Sequence, residues 1–141
     1  MRREVSPGIE LDDDRARVDV ATLHAFLSEH AYWSLGRPLA TVQHLVDDAA
    51  RVVGVYDGER LIGFCRVASD GFTYAWLFDV YVLPEYRGRG LGIELVREAV
   101  ENGPHAHLRW ILHTKDMQAL YRRFGFGTPG ERCMERPIPG R

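Results

Sequence analysis

No stretch of this 141-residue chain approaches the roughly 18 consecutive apolar residues of a membrane-spanning helix. The opening residues, Met1-Arg2-Arg3-Glu4, also lack the apolar segment of a signal peptide. Both absences predict a cytoplasmic chain with no membrane partner. Cysteine is scarce: Cys65 and Cys133 form no CxxC pair; one disulfide between them is conceivable, but reduced buried thiols are expected. Metal chemistry has no clear foothold. His105 and His107 lack a third placed ligand for zinc. Asp12-Asp13-Asp14 lacks the spacing and terminal glutamate of a calcium loop, and reads as a solvated turn. Net charge is −2, so no basic field argues for nucleic acid. There is no internal repeat, low-complexity tract or dividing linker, which predicts one domain over residues 1–141.

What is present suffices for a core, with 45% apolar and 11% aromatic residues. Residues 3–10 read as a first strand, weakened by Pro7 and Gly8. Asp19 is placed to cap a helix carrying Val20, Leu23, Phe26 and Leu27 at helical spacing. A second helix is expected over residues 39–50, with Val42, Leu45 and Val46 on one face. Two β-rich runs, 51–56 and 61–68, flank Asp57-Gly58-Glu59-Arg60, a hairpin signal. Phe72 to Leu83 is nearly unbroken in apolar residues, as a central strand covered on both faces would be. Asp79 is its one charged residue, and Pro84 ends it. Leu91, Leu95, Val96 and Ala99 form a helical stripe stopped by Asn102-Gly103-Pro104. Leu108–His113 reads as a strand, Met117 to Phe124 as a short helix, and residues 132–136 as a last strand. The order implies an α/β fold: a mixed sheet, antiparallel early with a late crossover, and about four helices.

The densest chemical signal is Arg87-Gly88-Arg89-Gly90-Leu91-Gly92, where the long strand gives way to a helix. The first turn of a helix leaves backbone amides without acceptors, and its dipole favours negative charge. Glycine lets an anion reach those amides. The stretch therefore reads as a phosphate or pyrophosphate cradle. No Gly-Lys-Ser/Thr follows, which excludes a P-loop, and the late position and spacing do not suit a dinucleotide fold.

The run Val80-Tyr81-Val82-Leu83-Pro84-Glu85-Tyr86-Arg87-Gly88-Arg89-Gly90-Leu91-Gly92 resembles the acetyl-coenzyme A signature of the GCN5-related N-acetyltransferases (GNAT). Its [Q/R]-x-x-G-x-[G/A] core falls on Arg87, Gly90 and Gly92. Downstream, Ala119-Leu120-Tyr121-Arg122-Arg123-Phe124-Gly125-Phe126 resembles the family's L-Y-x-x-x-G-F segment. The resemblance implies a GNAT-like sheet with a splayed strand pair and acetyl-CoA as co-substrate. Arg87, Gly88, Arg89, Gly90, Leu91 and Gly92 would hold the pyrophosphate, and the backbone of Val80, Tyr81 and Val82 the pantetheine. Val82 would offer an amide to the developing oxyanion. Tyr121 would be the general acid that protonates the leaving thiolate, a task suited to a phenol with an ordinary pKa near 10. Many relatives have asparagine seven residues before that tyrosine; here it is Thr114.

Asp79, a lone carboxylate in an apolar strand beside the proposed thioester site, is the candidate general base, or else a carboxylate paired with an arginine or pointing out at a bulge; His113 is a lesser candidate base. Tyr32 and Trp33, in a Y-W-x-x-G-R-P stretch between two expected helices, are candidates for the acceptor pocket, where aromatic faces suit a cationic amine, or else a ring pair that packs the loop onto the core. The expected activity is acetyl transfer to a primary amine of a small molecule by direct attack in a ternary complex. A non-catalytic acyl-CoA sensor and a protein lysine or N-terminal acetyltransferase stay open as alternatives. No metal or nucleic acid is expected, and exposed edge strands leave room for a homodimer.

Overall fold

The computed structural model describes residues 1–140. The chain opens with a hairpin, not one strand: β1 (Arg2–Ser6) and β2 (Ile9–Asp12) pair antiparallel. Pro7 has no amide to donate and Gly8 takes a φ of 77°, so the chain reverses where a strand over residues 3–10 was expected. Helix α1 (Val20–Glu29) starts at Asp19, whose carboxylate accepts from the Thr22 amide at 3.1 Å. Helix α2 (Leu39–Asp48) follows, then β3 (Arg51–Asp57) and β4 (Arg60–Ser69), joined by the expected turn with Gly58 at a φ of 61°. Next come β5 (Tyr74–Val82), α3 (Leu91–Val100), β6 (Arg109–Ile111) and α4 (Gln118–Arg122). Residues 132–136 form no strand. Among the described residues no helix is long and apolar enough to cross a membrane.

The six strands lie in chain order, antiparallel from β1 to β5; only β6 is parallel to its neighbour, with α3 as the crossover. One sheet face is covered by the α3 stripe, where Leu91, Leu95, Val96 and Ala99 pack on Val53, Val55, Ile62, Cys65, Val67 and Leu77. The other is covered by α1 and α2, with Leu23, Leu27, Val42 and Val46 against Val52, Tyr56, Phe64 and Tyr81. Cys65 is buried, Cys133 exposed, and both are free thiols.

Of the acidic triplet, Asp14 is exposed as expected of a solvated turn, whereas Asp12 and Asp13 are tied into ion pairs. Asp12 pairs with Arg17 at 3.0 Å, Asp13 accepts from the terminal amine and from Arg51, and Asp14 caps a 3-10 turn through the Ala16 amide. Arg51 continues inward to Glu98 of α3 at 3.1 Å, a pair only 7% and 4% exposed. Two buried charges survive there because each answers the other and accepts or donates further hydrogen bonds.

Candidate active site

Strand β5 carries a bulge that sets the geometry of the site. Phe64 pairs with Tyr81 and Arg66 with Phe78, so Asp79 and Val80 oppose the single residue Cys65. Asp79 sits at a φ of 56°, the one non-glycine residue with positive φ among those described. The extra residue reverses strand parity: Leu77 and Val82, an odd number of positions apart, both reach the α3-side core. Asp79 is buried, 6% exposed as a residue, and its side chain turns toward the α1–α2 loop. There its Oδ1 accepts from Trp33 Nε1 at 2.8 Å. Its Oδ2 accepts from Arg37 Nη1 at 3.0 Å and from Arg66 Nε at 2.6 Å. The residue proposed as a base thus has three donors on its two oxygens.

Past Trp76, ahead of the bulge, β5 leaves β6. The two strands pair only through Tyr74↔Arg109, Ala75↔Trp110 and Trp76↔Ile111. The Leu83 amide bonds the Ile62 carbonyl at 2.8 Å, and the Tyr81 carbonyl lies against Gly63. Both residues therefore face β4, and strand alternation turns the backbone of Val82 to the opposite, open edge. There Arg87 Nε holds the Val82 carbonyl at 2.9 Å, leaving the Val82 N–H toward the gap. By the same alternation Tyr81 presents nothing to the gap. Its backbone serves β4 and its ring stacks on Phe26 at 3.9 Å.

The glycine loop follows at once. Gly88 and Gly90 take φ of 81° and 76°, and Gly90 caps α3 with no side chain available to satisfy the first amides. The first helical bond runs from the Glu94 amide to the Gly90 carbonyl. Among the described residues nothing accepts from the six amides of Gly88, Arg89, Gly90, Leu91, Gly92 and Ile93. Gly92 has no heavy atom within 4 Å of where a Cβ would stand, so space above the amides is open. These are the features an entering phosphate needs, and the loop fits the pyrophosphate of coenzyme A. Arg89, exposed and 5.2 Å above the Tyr86 ring, is free to add charge, whereas Arg87 is partly spent on Val82.

A cavity of about 500 Å³ lies where β5 and β6 part, lined by Tyr32, Trp33, Leu77, Asp79, Val80, Thr114 and Tyr121 among others. The structure thus brings together both acceptor candidates and both catalytic candidates. Tyr121, on α4, is 7% exposed, and burial pushes its phenol up to about 12, so it keeps its proton at neutral pH. Tyr32 is tied across the cavity, its hydroxyl accepting from the Lys115 amide at 3.1 Å. The Lys115 ammonium lies 5.3 Å above the Tyr32 ring, so a cation of the protein occupies a place expected for a cationic acceptor. Thr114 accepts from the Met117 amide at 3.0 Å and starts the α4 segment. His113 is exposed and pairs with Glu135 at 3.3 Å. Arg37, which holds Asp79 in place, lies in the Y-W-x-x-G-R-P stretch, which assigns it no role, and Arg66, which also holds it, carried no signal in the sequence.

A mixed sheet opened between two parallel strands, with an amide cradle on the next helix, is the framework of coenzyme A-dependent acetyltransferases. The chain belongs to the Acetyltransferase (GNAT) family, whose profile it matches over residues 14–126. It is similar to the solved structure of a protein assigned to that family from Xanthomonas campestris pv. campestris, at 36% identity and a TM-score of 0.87 over 94% of each chain. It is also similar to the N-alpha-acetyltransferase RimI of Mycobacterium tuberculosis, at 30% identity over 67% of this chain and 63% of that one. An uncharacterized N-acetyltransferase of Prochlorococcus marinus matches at 37% identity over 55% of this chain and 47% of its own. The chain thus spans under two thirds of these curated relatives. A Clostridium acetobutylicum protein, predicted to be an acetyltransferase and solved with acetyl-CoA, shares the fold with a TM-score of 0.68 at 13% identity over 92% and 96% of the two chains.

Proposed function

We propose that this protein is an N-acetyltransferase that moves the acetyl group of acetyl-CoA to a primary amine of a small molecule. One observation carries this: the open edge of β5 runs from the amide cradle, past the Val82 N–H, to a cavity that contains the Tyr121 phenol. When bound, acetyl-CoA supplies the activated acyl thioester. The amides from Gly88 to Ile93 and the Arg89 guanidinium hold its phosphates. The Val82 N–H donates to the carbonyl oxygen as negative charge gathers there, an interaction whose removal costs on the order of 3 kcal/mol. Tyr121 gives a proton to the departing sulfur. Its raised pKa keeps that proton on the phenol at neutral pH until the sulfur departs.

Asp79 has a positioning role in this scheme. With Trp33, Arg37 and Arg66 on its oxygens, it anchors the α1–α2 loop to the bulge and so shapes the acceptor side of the cavity. The proton of the incoming amine passes to cavity water. The test is calorimetric titration with acetyl-CoA, then free thiol release with a broad panel of amines. Binding followed by amine-dependent release is expected; binding without release across the panel would make the protein an acyl-CoA sensor. Asp79→Asn is expected to raise the acceptor KM while leaving the acid limb of the pH–rate profile where it was. A displaced acid limb would restore Asp79 as the base.

A further inference from the structure

The acceptor side of the cavity is cationic in a specific way. Arg37 and Arg66 converge on one carboxylate oxygen of Asp79, so one negative charge faces two guanidinium groups. The carboxylate is 2% exposed, the guanidinium side chains 18% and 12%. Asp79 is thus the sealed part of the cluster and the arginines are the part a ligand reaches. Arg66 spends Nε on Asp79 and Arg37 spends Nη1. Among the described residues, Nη1 and Nη2 of Arg66 and Nη2 of Arg37 find no acceptor, yet none is a sealed, unsatisfied atom. They are unsealed donors on two residues that line the cavity, the Arg66 guanidinium resting with one face on the Phe78 ring.

The other charges at this wall reinforce the bias. Lys115, the one lysine of the chain, lines the same cavity, and Asp116 is the second carboxylate there. Three cations therefore face two carboxylates, one of them already triply bonded. An acceptor with only an ammonium group would meet like charge and spare donors. Spare guanidinium N–H groups in a fixed plane match a carboxylate, which takes two such bonds side by side. The same cationic wall disfavours an ammonium form at the reacting nitrogen, so the nucleophilic neutral amine is favoured.

We propose that the acceptor is an amine that also bears a carboxylate, of amino-acid size, with that carboxylate seated on Arg37 and Arg66 and its amine near Tyr121. This rests on the acetyl-transfer function proposed above. A new N–C bond forms as the thioester C–S bond breaks, one amine proton is lost, and the sulfur leaves as the protonated thiol. A cavity of about 500 Å³ holds such a molecule and falls within the usual size of small-ligand sites.

The test is thiol release by the whole protein on matched acceptors: a series of amino acids, their carboxamides, the corresponding decarboxylated amines and short peptides. The acids are expected to exceed their amides and amines in kcat/KM by at least about tenfold, since each lost charge-assisted pair is worth more than a factor of ten. Arg37→Gln is expected to lower the acid-to-amide ratio about tenfold. The comparison within the unmodified protein stands even if that variant folds poorly. Amides, diamines or peptides turned over as well as the acids would overturn the carboxylate site and leave the acetyltransferase function intact. Acetyl-CoA binding with no release from any acceptor would overturn both.

Discussion

Glycine at position 92 has no purpose that the fold supplies, and that makes it the sharpest probe of the cradle. Gly88 and Gly90 need positive φ, so any side chain there strains the backbone by about 1–2 kcal/mol and confounds a binding measurement. Gly92 is in the first turn of α3, does not have positive φ, and faces open space. Alanine there restricts the unfolded chain and meets nothing in the folded one. Gly92→Ala should therefore stabilise the free protein by about 0.5–1 kcal/mol, or roughly 2–3 °C in Tm for a domain of this size. Alanine is also a residue the signature admits at this position, so the acetyl-CoA Kd of Gly92→Ala should stay within about twofold of the parent. Gly92→Asp instead brings a carboxylate to the unpaired amides, where it repels a phosphate and competes for the same donors, and a hydrogen bond to a charged group is worth about 1.5–3 kcal/mol. Its acetyl-CoA Kd should rise at least tenfold. Calorimetry for affinity and scanning calorimetry for stability read both variants. A Gly92→Asp Kd inside about twofold of the parent would refute the assignment of these amides to the ligand.

The chemistry and the frame give further outcomes. Tyr121→Phe should lower kcat by about 100-fold with acetyl-CoA affinity nearly unchanged; equal turnover would return Tyr121 to the core. Gly103→Ala would drive a Cβ into Arg51 Nη1, on a guanidinium fixed between Asp13 and Glu98, so urea denaturation should show a loss of roughly 3 kcal/mol; an unchanged midpoint would mean the pair is dispensable. Burial pushes the Tyr56 and Tyr121 phenols and the Cys65 thiol up to about 12, and Tyr81 higher still. Folded-state pKa values raised in this way give stability that is full below the unfolded values, near 8.5 for thiol and 10 for phenol, and is lost as pH climbs through about 12. The urea midpoint should therefore fall steadily above about pH 10, and a flat profile would show those groups reachable by water.

How much of this was legible depended on the distance between partners along the chain. Asp19 caps the adjoining helix through an amide three residues away, and Asp57-Gly58 closes a hairpin between adjoining strands. The α3 stripe repeats within ten residues. Local signals of that kind placed nearly every element, and the two motifs placed the ligand loop and Tyr121. The first hairpin was blurred because Pro7 and Gly8 weaken a strand without stating that the chain folds back. Arg51 meets Glu98 across 47 positions, and no local pattern announces such a pair.

Asp79 shows where chain reading ends in chemistry. A single carboxylate in an apolar strand has two physical solutions. It stays unpaired, its proton affinity is raised by burial, and it serves as a base; or it gathers cations and serves as an anchor. The sequence contains both descriptions equally, because the deciding donors lie 46, 42 and 13 positions away, at Trp33, Arg37 and Arg66. The bulge selects the second by aiming the side chain at the α1–α2 loop instead of the α3-side core. Once Asp79 is an anchor, Trp33 has a reason to be tryptophan: its N–H is spent on holding the loop, and its ring lines the cavity beside Tyr32. The aromatic pair then frames the pocket, and the arginines that Asp79 fixes become the groups that choose what enters it.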